Sequence, residues 1–184
     1  MRRFDELVTA RLRMRSWRVA DRQPFAAMNA DPEVMRHFPA PLDRTGSDAL
    51  VDRIESRFEN QGYGLWALER LDDRAFLGFA GLNPMPPGTP GTGGTEVGWR
   101  LARHAWGAGY ASEAGAEALR VAFGHLGLDE VWSITAVTNT RSQAVMRRLD
   151  LVEHSRYRHR DLRGEHVLSE QVAYRALREV HRRR

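Results

Sequence analysis

Apolar and polar residues follow two different periods along this chain, and their order predicts a mixed α/β protein. Between Thr9 and Trp17 they alternate, with Leu12 and Met14 on one side and arginines on the other, as in a half-buried strand. Before Gly62, apolar residues instead recur at helical spacing. The same reasoning predicts strands over Thr9–Trp17, Tyr63–Leu68, Phe76–Leu82, Thr95–Leu101, Val131–Thr138, Leu151–His159 and His166–Leu177, and helices around Phe25–Met28, before Gly62, from about Gly109 to Leu126 and from Asn139.

These elements follow the order β-αα-βββ-α-β-α-ββ, which lacks the regular alternation of a doubly wound sheet. A chain of 184 residues can bury one sizeable core and is too short for two comfortable ones. We therefore expect a single domain over residues 1–184, with its core at about 8–178 and a basic tail at 179–184. Asp43 or Thr45 is expected to cap the helix that Gly62 ends.

Two loops leave alternatives open. The apolar segment from Phe38 to Pro41 could line a substrate pocket or simply pack against the core. The segment from Pro84 to Gly94 is rich in Pro, Gly and Thr. It lacks the lysine and the following helix of a phosphate-binding loop, so a flexible connection between strands is the favoured interpretation.

The composition excludes several chemistries. The sequence contains no cysteine, which removes disulfides, thiolate nucleophiles and cysteine metal sites. It also contains no lysine, which excludes Schiff-base chemistry because arginine stays protonated. The histidines lack a spacing typical of metal ligands, so no metal site is expected.

The formal net charge is +4, with many arginines near the C-terminal end. Glutamates dilute that basic stretch, so no nucleic-acid partner is expected. The sequence shows no apolar run typical of a signal peptide or a membrane span. A cytoplasmic protein without a membrane partner is therefore expected.

The stretch from Trp106 to Ala114 places Gly107 and Gly109 between a predicted strand and a predicted helix. Glycines let a ligand approach the backbone, and a helix start presents unpaired N–H groups and the positive end of the helix dipole. The pattern therefore favours a phosphate-binding loop, although two glycines alone are also compatible with an ordinary turn.

Together with Glu96–Leu101 and Asn139–Ser142, this stretch resembles the GNAT superfamily of N-acetyltransferases, and most closely its RimJ/RimL branch. The opening Thr9–Arg15, Asp31–Val34 and Gly62–Ala67 are also similar to that branch, so the resemblance covers nearly the whole chain. It implies the GNAT fold, with a central, mostly antiparallel sheet flanked by helices, and acetyl-CoA as co-substrate.

The resemblance also implies where acetyl-CoA binds. The pantetheine arm would pair with backbone at the end of the Thr95–Leu101 strand, the pyrophosphate would lie on the glycine loop, and Asn139 and Ser142 would contribute polar contacts. His104 stands where the family usually has Gln or Arg, and Met146 stands where many members have a tyrosine general acid. The implied cofactor-binding residues are Trp99, Arg100, Leu101, Arg103, His104, Gly107, Ala108, Gly109, Tyr110, Ala111, Asn139 and Ser142.

Acetyl transfer from a thioester to an amine needs a neutral amine, a polarised carbonyl and a protonated leaving thiolate. Glu96 is the candidate base, and Ser142 is the candidate group near the sulfur. Each has an alternative: Glu96 could be a surface charge paired with Arg100, and Ser142 could cap the helix that begins at Asn139. A backbone N–H near Leu101 could polarise the carbonyl.

The function expected from the sequence is transfer of an acetyl group to a primary amine by direct attack. The acceptor would be a protein N-terminus or a small amine, and the protein a monomer or homodimer. The alternative is a catalytically idle acyl-CoA-binding or regulatory module of the same fold.

Overall fold

The computed structural model of the protein describes residues 4–159 and 168–181, which contain eight strands and five α-helices. The strands are β1 (Glu6–Val8), β2 (Leu12–Arg15), β3 (Leu65–Arg70), β4 (Phe76–Pro84), β5 (Thr95–Leu101), β6 (Glu130–Ala136), β7 (Val152–Arg158) and β8 (Glu170–Leu177). The helices are α1 (Arg22–Ala30), α2 (Arg44–Gln61), α3 (Tyr110–Arg120), α4 (Thr140–Arg148) and α5 (Arg178–His181).

The strands form an eight-stranded sheet in the order β1-β2-β3-β4-β5-β6-β8-β7. β5 and β6 run parallel, with Glu96 opposite Trp132, and every other pair with a described register is antiparallel. The predicted class, a mixed α/β fold with a mostly antiparallel sheet and flanking helices, is confirmed.

The chain forms two compact groups of residues, Met1–Gly81 with Trp99–Glu117 and Leu82–Gly98 with Ala118–Arg184. In the first group, Trp17, Phe25 and Phe79 form an aromatic core in which the Trp17 and Phe25 ring centroids lie 4.7 Å apart. Beside it, the buried Arg15 guanidinium donates to Asp21 and Glu69, so this internal cation is neutralised by the protein itself. The single domain over 1–184 stays a prediction.

In the second group, β6, β8 and β7 pair as an antiparallel ribbon, since residues from Glu130 to Ala136 face Leu177 to Gln171 along the whole length of β6. Buried Met85, Trp132 and Ala173 pack together with the half-buried Ile134 and Tyr157. The Pro84–Gly94 loop lies against this cluster, because a Cβ added at Gly91 would come within 2.5 Å of the Trp132 ring. The loop is therefore a packed turn rather than a phosphate-binding loop.

Several local predictions can now be compared with the structure. Asp43, not Thr45, caps α2, since its carboxylate accepts a hydrogen bond from the Gly46 N–H. The helix predicted to reach Leu126 is α helical to Arg120 and then continues as a π-helical turn over Val121–His125. β1 was not predicted, because only one of its three residues, Leu7, is buried and the alternation is too short to detect.

Part of the predicted strand His166–Leu177 and of the basic tail 179–184 lies outside the described residues. Within them, β8 begins at Glu170, and Arg178–His181 form the short helix α5. None of the helices in the described part of the chain combines the length and the apolar character that crossing a membrane requires.

Candidate active site

The loop between β5 and α3 adopts the conformation that its two glycines suggest. After a 3₁₀ turn over Arg103–Ala105, Gly107 has a φ of 77° and Gly109 a φ of 83°, and α3 begins at Tyr110. Side chains other than glycine rarely adopt these φ values, so both glycines are required for the course of the backbone. Gly107, Ala108 and Gly109 are exposed, while Tyr110 is buried and anchors the helix start.

The glycine loop has open space around it and hydrogen-bond donors without partners among the described residues. A Cβ added at Gly107 would meet no atom within 4 Å, and one at Gly109 would meet only the end of the Arg11 side chain, at 3.5 Å. In the part of the chain that the structure describes, no group accepts a hydrogen bond from the N–H of Gly107, Ala108 or Gly109. The buried Ser112 hydroxyl on the first turn of α3 also has no partner there. Free N–H groups at a helix start and an unpaired hydroxyl together fit a phosphate group.

A carboxylate holds this loop to the beginning of the chain. Glu113 accepts hydrogen bonds from the Thr9 hydroxyl at 2.6 Å, from the Arg11 backbone N–H at 2.8 Å and from Arg11 Nε at 2.7 Å. Arg11 in turn donates to the Ala108 carbonyl at 2.9 Å and lies over the Tyr110 ring. Burial alone would raise the pKa of Glu113, but the hydrogen bonds from Thr9 and Arg11 outweigh it and lower the pKa. Glu113 is therefore an ionised tether for the loop.

This tether was not predicted from the sequence. Its local signal was an acidic residue in the first turn of a helix, which the helix dipole favours at any helix start. The partner arginine lies about a hundred positions earlier in the chain, and helical periodicity cannot reveal a pair at that separation.

The end of β5 and the short turn after it carry the other predicted contacts of the first group. Trp99 is half-buried and Leu101 is buried, and the Leu101 carbonyl accepts a hydrogen bond from Trp106 Nε1 at 2.8 Å. The Ala102 N–H donates to the Leu77 carbonyl at 2.9 Å, so that amide is already paired. Arg103 and His104 are exposed in the 3₁₀ turn, and Ala111 lies in the first turn of α3.

Glu96 lies on β5 within the second group and is half-buried. Burial of its carboxyl group raises its pKa to about 7, against the opposing effect of hydrogen bonds from the Ile134 backbone N–H and the Asn83 side chain. Those two donors, and not an arginine, hold the carboxylate. A carboxyl group that titrates near neutral pH is suited to proton transfer with an amine.

Tyr157 is a second polar group beside Glu96 that sequence reasoning missed. Burial raises the pKa of Tyr157 to about 12, and the negative charge of Glu96 adds to the effect. Its buried hydroxyl has no hydrogen-bond partner within the described residues. Tyr157 comes from β7, far along the chain, so no spacing in the sequence links it to Glu96.

Asn139 is the N-cap of α4. Its side-chain oxygen accepts a hydrogen bond from the Ser142 N–H at 3.2 Å, and its amide donates to the Thr135 hydroxyl at 2.9 Å. Asn139, rather than Ser142, therefore caps this helix. The half-buried Ser142 hydroxyl makes no hydrogen bond with any described residue and is free to contact a ligand. Met146, one turn later, is fully buried.

Among the described residues, no carboxylate pairs with the Arg100 side chain, so Glu96 is not the surface partner of Arg100 that the alternative required. Its Nη1 donates to Asn29 Oδ1 at 2.7 Å, and its guanidinium lies over the rings of Phe38 and Phe79. The predicted site residues thus fall into two sets: Trp99 to Ala111 lie in the first compact group, and Glu96, Asn139 and Ser142 lie in the second. Among the residues that the structure describes, no three His, Asp or Glu side chains are placed to hold a metal ion.

Comparison with known proteins places this geometry in context. Residues 11–152 match the family described as the acetyltransferase (GNAT) domain. The chain is 32% identical over 149 residues to FsC-acetyl coenzyme A-N(2)-transacetylase of Aspergillus fumigatus, a match that covers 76% of this chain. It spans 62% of the length of that relative.

A second relative, the uncharacterized protein YkkB of Bacillus subtilis, is 30% identical over 119 residues, which cover 64% of this chain and 68% of the relative. The fold is similar to that of a GNAT-family acetyltransferase from Bacillus anthracis, with a TM-score of 0.79. That similarity covers 95% of this chain and 99% of the other at 18% identity, and it confirms the predicted fold.

Proposed function

Because the chain belongs to the GNAT acetyltransferase family, we propose that it moves an acetyl group from acetyl-CoA to a primary amine by direct attack of the amine. As a GNAT acetyltransferase it uses acetyl-CoA for N-acetylation, and the acceptor and the order of bond changes are the proposed part. The name of the Aspergillus relative, an N(2)-transacetylase, supports nitrogen as the atom acetylated. Assignment to the RimJ/RimL branch is likewise a proposal.

The observation that carries the proposal is the exposed Gly107–Gly109 backbone at the start of α3. We assign the pyrophosphate to the N–H groups from Gly107 to Ala111 and to the unpaired Ser112 hydroxyl. Arg103 and His104, exposed beside this loop, supply positive charge or hydrogen-bond donors for the phosphates. The backbone of Trp99, Arg100 and Leu101 is assigned to the pantetheine arm.

When bound, acetyl-CoA supplies the thioester carbonyl that the amine attacks. Glu96 is proposed to remove the proton from the acceptor ammonium, directly or through a water molecule. An α-ammonium has a pKa of ~8, so its proton moves to a carboxylate of pKa about 7 at a cost of about 1 kcal/mol. The same transfer to an ordinary carboxylate would cost about 5 kcal/mol.

Ser142 is proposed to relay a proton to the leaving sulfur: its hydroxyl gives up a proton to the sulfur as it accepts one from the nitrogen that has attacked the carbonyl, so no alkoxide is left. This hydroxyl has no partner among the described residues, and Met146 cannot act as an acid. Asn139 is proposed to contact acetyl-CoA through the side-chain amide group, which still has hydrogen-bonding positions free after it caps α4 and donates to Thr135. The acceptor is a protein N-terminus or a small amine, and the protein is a monomer or homodimer.

The first experiment measures acetyl-CoA binding by calorimetry and CoA release against a panel of peptide N-termini and small amines. Gly107→Glu should abolish binding, because it places a carboxylate where the pyrophosphate is proposed to lie. Gly93→Glu is the matched control, since Gly93 has a similar φ of 88° and equally open surroundings. Equal binding by both variants would refute the assignment of the loop. Binding without turnover on any amine would favour the idle acyl-CoA-binding module.

A further inference from the structure

The guanidinium of Arg100 is enclosed by the protein, and no carboxylate in residues 4–159 and 168–181 neutralises it. One aromatic ring, Phe38, lies 4.1 Å from it, and a second, Phe79, lies 5.5 Å away. Nη1 donates to Asn29 Oδ1, while Nε is buried and has no acceptor within the described residues. Within the described part of the chain, Nε is therefore a buried donor without an acceptor, and Nη2 lies beside it on the same edge of the guanidinium.

The surroundings of Arg100 contain hydrogen-bonding groups without a negative charge. Asn29 is fully buried, neutral, and held in place by its donation to the Ser47 hydroxyl at 2.9 Å. Burial lowers the pKa of Arg100 to about 10, so the group stays charged at neutral pH without a compensating carboxylate. Arg15, in the same compact group, shows the usual solution, with two carboxylates against one buried guanidinium.

A buried cation without a counter-ion is unfavourable, so its retention calls for an anion from outside the chain. We propose that Arg100 and Asn29 form a subsite for a carboxylate carried by the acetyl acceptor. This inference rests on the proposed acetyl transfer and narrows its acceptor to an amine that also bears a carboxylate, such as an amino acid. A guanidinium edge with two parallel donors matches the two oxygens of a carboxylate. Polyamines, which carry only positive charge, are excluded as preferred acceptors.

Phe38 forms the outer side of this subsite. Its ring is 36% exposed and lies in the apolar segment that runs to Pro41, for which the sequence left open a role in lining a substrate pocket. The Phe38 ring shields the guanidinium from water. A carboxylate that displaces the ring, or binds between the ring and the guanidinium, therefore interacts with a cation that water screens only weakly. The subsite is thus expected to bind one well-oriented carboxylate more tightly than exposed arginines do.

The competing explanation is that Arg100 only ties α1 and the Phe38 segment to β5. The two explanations differ in the effect of Asn29→Asp. This substitution places a carboxylate 2.7 Å from the guanidinium without changing the shape of the side chain. If Arg100 binds an external carboxylate, the carboxylate introduced by Asn29→Asp should take its place, so the variant should be more stable and should no longer bind the carboxylate of the acceptor. If Arg100 has only a structural role, the variant should keep the wild-type acceptor preference.

The experiment compares acceptors that differ only in the anion: an amino acid with its amide, and O-phosphoethanolamine with ethanolamine. We expect kcat/KM for the wild-type enzyme to be at least tenfold higher for the amino acid than for its amide. Asn29→Asp should bring that ratio close to one with an unchanged KM for acetyl-CoA, and Arg100→Met should also bring the ratio close to one. Asn29→Asp should also raise Tm, whereas Asn60→Asp, the same change at an exposed position of α2, should alter neither quantity.

A second measurement separates failure of this inference from failure of the proposed function. Without acetyl-CoA, the amino acid should raise the Tm of the wild-type protein while its amide does not, and Asn29→Asp should abolish the shift. That result would support the subsite even if no amine were acetylated. Equal shifts with amino acid and amide, a shift with the phosphate compound alone, or an unaltered preference in Asn29→Asp would overturn the carboxylate assignment.

Discussion

Replacing Glu96 with Gln is the most informative single test of the proposed acetyl transfer. Gln has nearly the same shape and can still accept a hydrogen bond from the Ile134 backbone N–H, but it cannot take a proton. If Glu96 is the general base, kcat/KM for a good amine acceptor should fall 10²–10⁴-fold, the usual range for loss of a positioned base. The KM for acetyl-CoA should hardly change.

The structure also predicts the pH dependence of the loss. The pKa of Glu96 is raised from 4.5 to about 7 by burial. Below that pH the carboxyl group is protonated and cannot act as a base, so wild-type kcat/KM should rise with pH up to about 7 and then level off or follow the amine. In Glu96→Gln the ionisation near 7 should be missing, and Glu59→Gln, an exposed change on α2, should keep the wild-type profile.

The same group gives a prediction for stability that does not depend on turnover. An acid whose pKa is higher in the folded state than in the unfolded state binds more protons when the protein is folded. The contribution of Glu96 to stability is therefore present below about pH 4.5 and is lost as the pH rises through about 7. The loss is at most about 3 kcal/mol, because the carboxyl group keeps some access to water. Relative to wild type, Glu96→Gln should therefore gain unfolding free energy between pH 4.5 and 8.

Urea unfolding at several pH values measures this difference, and steady-state acetylation over the same range measures the base. If the unfolding free energies of wild type and Glu96→Gln differ by the same amount at every pH, the carboxyl group of Glu96 is not desolvated. A Gln variant that keeps the wild-type rate and the wild-type pH profile would show that Glu96 is not the base, and Tyr157 would then be the next group to test.

Three further substitutions test other parts of the structure. Glu113→Gln should raise the KM for acetyl-CoA several-fold and lower Tm, because it weakens the hydrogen bonds that hold the loop to Thr9 and Arg11. Steady-state kinetics with Glu59→Gln as control would detect the change, and an unchanged KM would contradict the prediction. Gly78→Ala should destabilise the protein by about 2 kcal/mol or more, since the new Cβ would lie within 2.2 Å of the Arg100 carbonyl and Gly78 has a φ of 128°. Gly124→Ala, whose Cβ would meet no atom within 4 Å, should not be destabilised, and equal urea midpoints for the two variants would refute the prediction. Glu69→Gln should cost about 3 kcal/mol by breaking the buried pair with Arg15, and Glu33→Gln, in an exposed pair with Arg36, should cost less than about 1 kcal/mol in the same assay.

The backbone of the candidate site could be predicted from the sequence because its signals are local. Two glycines between a strand and a helix require only a few neighbouring residues to be recognised, and the structure gives both the left-handed conformation expected of them. Asn139 at the start of α4 is a similar case, since a cap is defined by the three residues after it. The strand that carries Glu96 was likewise visible as alternation.

The surroundings of the ionisable groups could not be predicted. Glu96 is held by Asn83 and Ile134, which come from two other strands, and Glu113 binds residues near the beginning of the chain. The alternative for Glu96 was a pair with Arg100, but the Arg100 side chain donates instead to Asn29, which comes from α1. Such pairs depend on which strands become neighbours, and that information is absent from the spacing of residues within one segment.

The ionisable groups of Glu96 and Arg100 on β5 are buried, and no described residue gives either of them a counter-ion. The protein does pair another buried charge, Arg15, with two carboxylates. The unpaired state of Glu96 and Arg100 is therefore not explained by a general lack of charged partners. Each of the two charges lowers stability, and a sequence selected for stability alone would replace both with apolar residues. Positions that break the usual rule for buried charge are expected where a ligand completes the interaction. An external carboxylate would complete the interaction at Arg100, which is why the amino acid and its amide are the most discriminating pair of acceptors to compare.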